Sequence, residues 1–544
     1  MSDFFNTGLY KIFEPKYKDI IGKPFITVSA KGISNGLSNI PNDGADFGPD
    51  TTLGASSPNQ TGPPYTQTLG WQEAINYAET NGIGKIVSKP NRVYILSNPV
   101  YFNPNGNYTF PLEIDGQNST IKISSSTLAL NPFQINNNPN SNAGVEMYPL
   151  KLHGFIFDGN STNSNSETIE FNQYGYNGND YTNLVEIYGN EFTNGSVSSI
   201  FVGNQSFSLS IHDNIFSNIG LSGPISINGQ NQNCYLNIYS NIFIAGALSA
   251  GSNAILLNNN NQNTSITSPA QNAVIIGNYF GNTSNAPTSG ISNVIIHGSS
   301  SGTGTGWNSA IISENIFDCT AGWQNTIGGV GLGGFNINVI NNICPVGFTT
   351  SLTDCVISNN MIMSGLSIYL NANIKNNRIY NPTTGYNAIG IAASNSQYIV
   401  IDSNIIDSNG TNNAIQISPT TVTGSSYIIK NNVFKGSNIT ISALPASSLF
   451  YDNKTLTGNY PIEPTTPAVP ASATAQENTN PYPVNVYLYG GTVTEIQVTK
   501  NGTAYTVFSN ASGLALSGQV YKLNPSDSIT ITYTTAPTWE WLSD

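Results

Sequence analysis

A short pattern of apolar and polar positions recurs along the middle of the chain, from about residue 150 to residue 453. It consists of an aliphatic residue, two variable residues, an Asn, one variable residue, and then Phe or another apolar residue. The apolar positions recur in phase with the Asn, which argues against chance recurrence. The instances are Ile187/Asn190/Phe192, Ile211/Asn214/Phe216, Ile238/Asn241/Phe243, Ile275/Asn278/Phe280, Ile312/Asn315/Phe317, Val339/Asn342/Cys344, Ile357/Asn360/Ile362, Ile374/Asn377/Ile379, Ile401/Asn404/Ile406 and Ile429/Asn432/Phe434.

The spacing of this pattern is irregular, with successive Asn residues about 17 to about 37 positions apart. Repeats of fixed length do not vary so widely, whereas coils of three short strands can lengthen their loops without disturbing the stacked strands. The pattern therefore predicts a right-handed parallel β-helix over residues 150–455, with coils ~4.8 Å apart. We expect apolar positions in the core, and each Asn at a tight turn in left-handed geometry, bonded to the Asn of the next coil.

One short helix is predicted before the coils. Four apolar residues of Thr68–Asn81 fall on one helical face, and Gly82 stands where the helix would end. Two strands follow, Lys85–Val87 and Val93–Leu96, on either side of a Pro-Asn turn. Such a helix would cap the open end of the β-helix.

The pattern changes again after Asn453. Pro, Thr and Ala are frequent in residues 456–480, which is typical of a stiff linker, and residues 481–544 alternate apolar and polar positions between Gly-Gly and Asn-Gly turns. The tail is therefore predicted to be an antiparallel β-sandwich. The full scheme is an N-terminal attachment segment (1–40), a cap and β-helix entry (41–149), the β-helix (150–455), the linker (456–480) and the sandwich (481–544).

Charged residues are few, at 9% of the chain against about 25% in an average protein. The net charge of -13 makes nucleic acid an unexpected partner. At pH ~3 the 17 Lys and Arg and the three His would leave a charge of only about +20. Two interpretations stay open: tolerance of an acidic exterior, or a polar secreted surface at neutral pH.

The N-terminus, Met1–Lys11, lacks a basic-then-apolar signal sequence, and no stretch approaches the ~18 apolar residues that would span a bilayer. Together with the surface-like composition, this favours assembly into a particle inside a cell, followed by release. The four Cys show no metal-ligand spacing, so neither a metal nor a cofactor is expected. A bridge between Cys344 and Cys355 is left open.

Two stretches resemble the pectate-lyase-like β-helix superfamily. Asn42–Asp46 resembles its D-x-G-A-x-x-D opening, and Trp71–Leu96 resembles its helix-then-strand entry. This superfamily contains polysaccharide lyases, glycoside hydrolases and viral tailspikes, so the resemblance implies a fold more than a function. The tail resembles C-terminal modules of viral spike proteins, with those of archaeal viruses most similar. The resemblance to tailspikes implies a homo-oligomer, with a trimer as one form.

Glycan cleavage needs two carboxylates facing one groove. Glu191 and Asp213 lie on adjacent predicted coils, two positions apart, and are weak candidates; Glu314 shares the column of Asp213 but is about 14 Å away. The N-T-D, D-D, G-H-G and R-I-K pattern of polygalacturonases is missing. The sequence therefore contains no strong candidate for a catalytic residue.

Binding has better candidates. The two longest coils are consecutive, and each contains a polar insertion, at residues 258–265 and 299–306. Aromatic rings near such insertions can stack on sugars while amides bond their hydroxyls, although the same rings could simply anchor loops. The candidates are Trp307, Trp323, Tyr174, Tyr176 and Tyr181.

The sequence thus favours a virion surface spike or tail fibre that binds host-cell glycans or proteins, located on the virus particle or outside the cell. Its N-terminal segment would contact other virion proteins. A secreted polysaccharide-degrading enzyme, either a hydrolase or a lyase, is the alternative. An archaeal cell-surface structural protein is a third possibility, although a signal or anchor would be expected there.

Overall fold

The structure is a computed structural model. It describes residues 25–31, 43–49, 68–102, 111–123, 131–135, 149–159, 168–171, 181–195, 198–202, 206–217, 223–228, 234–245, 253–258, 271–282, 291–297, 309–318, 323–330, 337–344, 348–350, 355–363, 365–368, 371–380, 387–392, 398–408, 414–418, 425–435, 448–455, 458–459, 466–480, 483–500 and 502–543.

Two compact units make up the chain, Met1–Asn338 and Val339–Asp544. Among its described residues the first contains one helix, α1 (Trp71–Asn81). Its strands are β1 (Ile26–Val28), β2 (Lys85–Ser88), β3 (Val93–Leu96), β4 (Val100–Phe102), β5 (Leu112–Ile123), β6 (Phe133–Ile135), β7 (Leu150–Asp158), β8 (Ile169–Phe171), β9 (Tyr181–Tyr188), β10 (Glu191–Thr193), β11 (Ile200–Val202), β12 (Ser206–His212), β13 (Ile215–Ser217), β14 (Ile225–Asn228), β15 (Cys234–Tyr239), β16 (Ile242–Ala245), β17 (Asn253–Asn258), β18 (Gln271–Ile276), β19 (Tyr279–Asn282), β20 (Ile291–His297), β21 (Ser309–Ser313), β22 (Ile316–Asp318) and β23 (Trp323–Val330).

The second unit contains the remaining strands, of which β24 begins just before the boundary. They are β24 (Ile337–Ile340), β25 (Ile343–Cys344), β26 (Phe348–Thr350), β27 (Cys355–Ser358), β28 (Met361–Ile362), β29 (Leu366–Ile368), β30 (Ala372–Lys375), β31 (Arg378–Tyr380), β32 (Ile389–Ala392), β33 (Tyr398–Asp402), β34 (Ile405–Asp407), β35 (Ile415–Ser418), β36 (Ser426–Lys430), β37 (Val433–Lys435), β38 (Leu449–Tyr451), β39 (Lys454–Thr455), β40 (Gly458–Asn459), β41 (Ala475–Glu477), β42 (Val484–Lys500), β43 (Thr503–Leu523), β44 (Ser528–Thr535) and β45 (Thr538–Ser543).

Each repeat is a coil of three strands, as the variable spacing predicted. In one coil these are β9, β10 and β11, and they pair in parallel with β12, β13 and β14 of the next coil. The register brings Ile187 against Ile211 and Phe192 against Phe216, so equivalent positions of the sequence pattern stack. The predicted right-handed parallel β-helix is confirmed.

The marker Asn residues form buried ladders, of which Asn214 is typical. Its Nδ2 donates to the carbonyl of Ile187 in the preceding coil at 2.8 Å and to Oδ1 of Asn241 in the following coil at 3.1 Å. Its backbone N–H donates to the same Oδ1 at 3.0 Å. Each amide is thus bonded on both sides, which removes the cost of burying it. The ladder residues are Asn190, Asn214, Asn241, Asn278 and Asn315 in the first unit and Asn342, Asn360, Asn377, Asn404, Asn432 and Asn453 in the second.

The prediction that these Asn residues take left-handed geometry is wrong. The residue before each ladder Asn makes the turn, with φ between 54° and 64°. The ladder Asn directs its amide into the coil, so the bend is made one position earlier, where the side chain lies outside. These turn residues are Gly189, Asp213, Ser240, Gly277, Glu314, Asn341, Asn359, Asn376, Ser403, Asn431 and Asp452.

A stack of Phe rings fills the core of the first unit. Ring centroids of successive coils are 4.6 to 4.9 Å apart from Phe157 to Phe317. At the N-terminal end, Trp71 of α1 packs against Tyr94, Phe133 and Phe155. The predicted helix and its end at Gly82 are confirmed, and its buried Trp covers the first coils as a cap.

Residues of the superfamily-like opening tie β1 to this cap. The Asp46 carboxylate accepts hydrogen bonds from the backbone and hydroxyl of Thr27, and Asp43 pairs with Arg92 at 2.9 Å. β1 itself pairs in parallel with β2. Part of the predicted attachment segment therefore belongs to the β-helix sheet.

The second unit answers one question that the sequence left open and shows the role of one further Asn. Cys344 and Cys355 are buried free thiols, so they do not form a bridge. Asn453, which begins an N-x-T sequon, is buried and bonded to Asn432 and to backbone carbonyls. Its amide is therefore part of the ladder and is not accessible to glycosylation.

The C-terminal strands form one antiparallel sheet. β42 pairs with β43 along its length, with β45 through Val484–Tyr489 and with β44 through Thr492–Thr499. Gly490 and Gly491, both at positive φ, separate the two halves. Residues 466–480 of the predicted linker also contact this sheet, where Trp539 donates its indole N–H to the carbonyl of Pro467. The antiparallel pairing predicted for the tail is confirmed, with the described strands in a single sheet, and the sandwich arrangement stays a prediction.

Candidate functional site

A column of stacked rings lies on the outer face of the first unit. It consists of His153, Tyr188, His212 and Tyr239, one each from β7, β9, β12 and β15. Neighbouring ring centroids are 4.6, 5.0 and 4.5 Å apart, with interplanar angles of 17°, 2° and 6°. This distance matches the spacing of strands in a sheet, so the register alone brings the rings into contact. Because the rings cover one another's faces, they present their polar edges outward.

A row of alternating charges, Lys85, Glu113, Lys151 and Glu186, crosses β2, β5, β7 and β9. On β7 and β9 it lies two residues before the rings of His153 and Tyr188. Lys85 Nζ lies 2.6 Å from Glu113 Oε1, and Lys151 Nζ lies 2.8 Å from Glu186 Oε2. These side chains are partly exposed, so each pair stabilises the fold by no more than about 1 kcal/mol. Their main effect is to fix an ordered pattern of both signs. The four rings and these four charged residues are called the ring face below.

The row of charges and the column of rings meet at Glu113, Asp115 and His153. His153 Nε2 lies 3.2 Å from Glu113 Oε1, and Gln117 donates from Nε2 to Asp115 Oδ2 at 2.6 Å. The hydrogen bond from His153, together with the hydrogen bond and charge of Lys85, lowers the pKa of Glu113 to about 2. The same contacts with Glu113 raise the pKa of Lys85 against the opposing effect of its partial burial. Both groups are therefore charged across the whole neutral range.

This junction has the residue types of a metal site. One ligand atom from each of Glu113, Asp115 and His153 lies within 4.8 Å of the others. However, the ammonium of Lys85 is 2.6 Å from Glu113 and 3.7 Å from Asp115, so it already supplies a positive charge there. A metal ion would have to displace it, and the donor set fits an ammonium better than a divalent ion.

The same junction fits glycoside hydrolysis poorly. That reaction needs one carboxyl that is protonated and can donate to the leaving group. With a pKa of about 2, Glu113 is ionised and cannot be that acid at neutral pH. Burial raises the pKa of the Tyr188 hydroxyl, so this group stays protonated at neutral pH and is not available there as a base.

The two weak catalytic candidates follow the two middle rings of the column, Glu191 after Tyr188 and Asp213 after His212. Asp213 makes the turn before Asn214, its side chain is 59% exposed, and its Oδ2 is 2.8 Å from His212 Nδ1. Glu191 begins β10, two residues after Gly189. Gly189 makes the turn in this coil that Asp213 makes in the next one. Their predicted offset of two positions on adjacent coils is therefore present. Glu314 is a turn residue of the same kind.

The predicted glycan-binding aromatics are not brought together by any described contact. Trp307, Tyr174 and Tyr176 lie outside the described residues, as does most of both long insertions. Trp323 begins β23, where its backbone pairs with Ile291, and Tyr181 begins β9. The binding role of all five stays a prediction.

Sequence reasoning missed the ring face, although a signal was present. A Tyr or His stands two residues before the marker Asn in three successive coils, at Tyr188, His212 and Tyr239. His153 holds the equivalent position before Gly154 and Phe155. That recurrence could have identified an outward ring column, because side chains alternate between the two faces of a strand.

No known protein-family profile matches the sequence, and no curated protein sequence matches it either. Among solved structures, the chain is similar to the A-module of the mannuronan C-5 epimerase AlgE6 of Azotobacter vinelandii, with a TM-score of 0.43 and 14% identity over 71% of this chain and 94% of that one. It is also similar to a mutant tailspike protein of E. coli bacteriophage HK620 in complex with a pentasaccharide, with a TM-score of 0.38 and 13% identity over 97% and 94% of the chains. A second mutant of that tailspike, in complex with a hexasaccharide, gives 0.40 and 13% over the same shares. Within the described ranges, every helix is too short or too polar to cross a bilayer.

Proposed function

We propose that the protein is a spike on the surface of a virus particle and that it binds glycans of the host cell through the ring face. The observation that carries this proposal is the fixed row of ring edges beside paired charges. Hydroxyl, imidazole, carboxylate and ammonium groups held in fixed directions suit the many hydroxyls of a sugar. Four rings one strand spacing apart extend over ~14 Å, which is enough for a short oligosaccharide.

The charges of the ring face favour neutral glycans. Both Lys residues of the row are already paired with carboxylates, and Asp115 adds a further negative charge at the junction. A polyanionic glycan would meet Glu113, Glu186 and Asp115 without a free cation among these groups. A neutral sugar can accept and donate hydrogen bonds to both signs without displacing either.

In this proposal the spike is an extracellular, homo-oligomeric protein of an archaeal virus. Its N-terminal segment joins other virion proteins. Detection of the protein in purified virus particles tests this assignment, and its absence from them would contradict it.

A glycan array probed with the purified protein tests the binding function. We expect retention on neutral oligosaccharides and weaker retention on polyanionic ones. A variant with Lys151→Gln and Glu186→Gln should lose binding, whereas Lys435→Gln with Asp407→Asn, which removes an ion pair of the second unit, should not. Equal binding by both variants would contradict the ring face as the site.

The alternative, a polysaccharide-degrading enzyme, has one observation in its favour. Two carboxylates and an imidazole lie together on the outer face, at Glu113, Asp115 and His153. Reducing-end and unsaturated-product assays on the glycans that bind would distinguish the two functions. Product release that is lost in His153→Ala would favour the enzyme over a binding-only spike.

A further inference from the structure

The strand β43 is a long sheet edge. It pairs with β42 along its length, and within the described C-terminal residues no other strand pairs with it. A row of backbone N–H and C=O groups along its other side therefore has no partner in the sheet. Such an edge is a template on which another strand can pair.

This edge lacks the features by which sheet edges usually avoid association. From Thr503 to Tyr521 there is no Asp, Glu, Lys, Arg or His, and no Pro. Edge strands are normally protected by charged side chains or Pro, which oppose pairing with another chain. The net charge of the whole chain is -13, and none of it lies in this run of 19 residues at the open edge.

The most suitable part of the edge is Thr503–Ser509, which reads T-A-Y-T-V-F-S. It has neither Gly nor Pro, it is rich in β-branched and aromatic residues, and the ring of Tyr505 and the side chain of Val507 are 53% and 45% exposed. Short segments with these properties are the ones that pair strand to strand. After it, residues 510–513 leave the register with β42, and Gly513 has positive φ.

We propose that Thr503–Ser509 pairs in antiparallel fashion with the same segment of a second copy of this chain, about a two-fold axis. Charge decides between this partner and an unrelated one. A two-fold interface places identical residues opposite or near one another, and like charges facing across strands are destabilising. A stretch free of charge has no such conflict, whereas recognition of a charged partner would use complementary charges that are absent here.

This inference is independent of glycan binding, and it bears on the number of copies in the spike. A two-fold pair gives two copies, or a multiple of two, and so distinguishes this assembly from the trimer that the tailspike resemblance includes as one form. Both copies would contribute the same strand, so one substitution changes both sides of the interface.

Light scattering on the full-length protein tests this. We expect the wild-type chain to have twice the 57.9 kDa of one chain, or a multiple of that mass. Val507→Lys would place two like charges in the interface, and the mass should fall by half. Val520→Lys, at a 48% exposed position further along the same strand, is the matched control and should leave the mass unchanged.

A cysteine variant tests the same pairing independently, in case the Val507→Lys protein does not fold. Thr506→Cys should form a covalent dimer between copies on mild oxidation, because residues near the axis face each other, while Ser517→Cys should not. A monomeric or trimeric wild-type protein, or a Val507→Lys protein with the wild-type mass, would overturn the proposed pairing. Unchanged glycan binding by a Val507→Lys monomer would leave the ring-face proposal intact.

Discussion

Asn214 donates two hydrogen bonds to the Asn241 side chain of the next coil. Oδ1 of Asn241 accepts from both the backbone N–H and the Nδ2 of Asn214, at 3.0 and 3.1 Å. Nδ2 of Asn241 in turn donates to the carbonyls of Ile211 and Tyr239. A single amide therefore satisfies polar groups of two coils, and its position is buried.

Substituting Asn241 by Ala should be strongly destabilising. It leaves the two donors of Asn214 and two carbonyls without their partner inside the coil, which costs about 3 kcal/mol of unfolding free energy. Asn237→Ala, on the exposed side of β15, is the control and should change stability by less than about 0.5 kcal/mol. Denaturant unfolding measures both. Equal effects would mean that the ladder adds nothing to stability.

The turn residue before each ladder Asn should prefer Gly. Glu314 has φ 58°, a conformation that costs an ordinary residue about 1 kcal/mol. We expect Glu314→Gly to be neutral or stabilising and Glu314→Val to be destabilising by 1 to 2 kcal/mol, because β-branched side chains tolerate this geometry least. Thermal melting of the two variants would show this order; the reverse order would contradict the assigned turn.

Stability of the cap should fall as pH rises because of Glu73. This side chain is buried in α1, and desolvation raises its pKa to about 7 from an ordinary 4.5. The folded protein then binds a proton more tightly than the unfolded chain, so stability decreases from about pH 4.5 to about pH 7 by up to about 3 kcal/mol. Glu73→Gln should remove this slope. Equal pH profiles for the wild type and Glu73→Gln would refute the assignment.

Glu113 should have the opposite effect. Its pKa is lowered to about 2, first by the hydrogen bond from His153. The stabilisation is therefore fully present above about pH 4.5 and is lost as pH falls toward 2. The difference in stability between the wild type and Glu113→Gln should be largest near neutral pH and should shrink over that window. A difference that grows on acidification would be inconsistent with the ion pairs of the ring face.

The β-helix could be predicted from the sequence because the ladder requires an Asn at the same position of successive coils. Each Asn bonds the same residue type in the next coil, so Asn214 requires Asn241, and the flanking Ile and Phe recur with it. The ring face follows no such rule, since the outward position two residues before the ladder Asn carries a ring in some coils and Ile, Ser, Lys or Asp in others. Its distances depend on strand register, as in the contact of His153 with Glu113 across β5 and β7. The open edge of β43 could not be predicted from the sequence either, because strand pairing within the tail depends on contacts between residues distant in sequence.

The turn geometry shows the same limit. The bend was predicted at the recurring Asn of each repeat. The residue before it has positive φ instead, and it varies among Gly, Asp, Ser, Glu and Asn. Only the hydrogen bonds of the ladder explain why the Asn itself stays inside the coil.

The affinity of the ring face for a glycan tests the central claim most directly. The double variant Tyr188→Phe with Tyr239→Phe keeps both rings in the stack and removes only their hydroxyls. Titration calorimetry with an oligosaccharide that the wild-type protein binds should give a Kd at least ~10-fold higher, since each lost hydrogen bond costs about 1 kcal/mol. Tyr398→Phe, at an exposed position of the second unit, should leave Kd unchanged. A double variant with the wild-type Kd would contradict glycan recognition by the ring face.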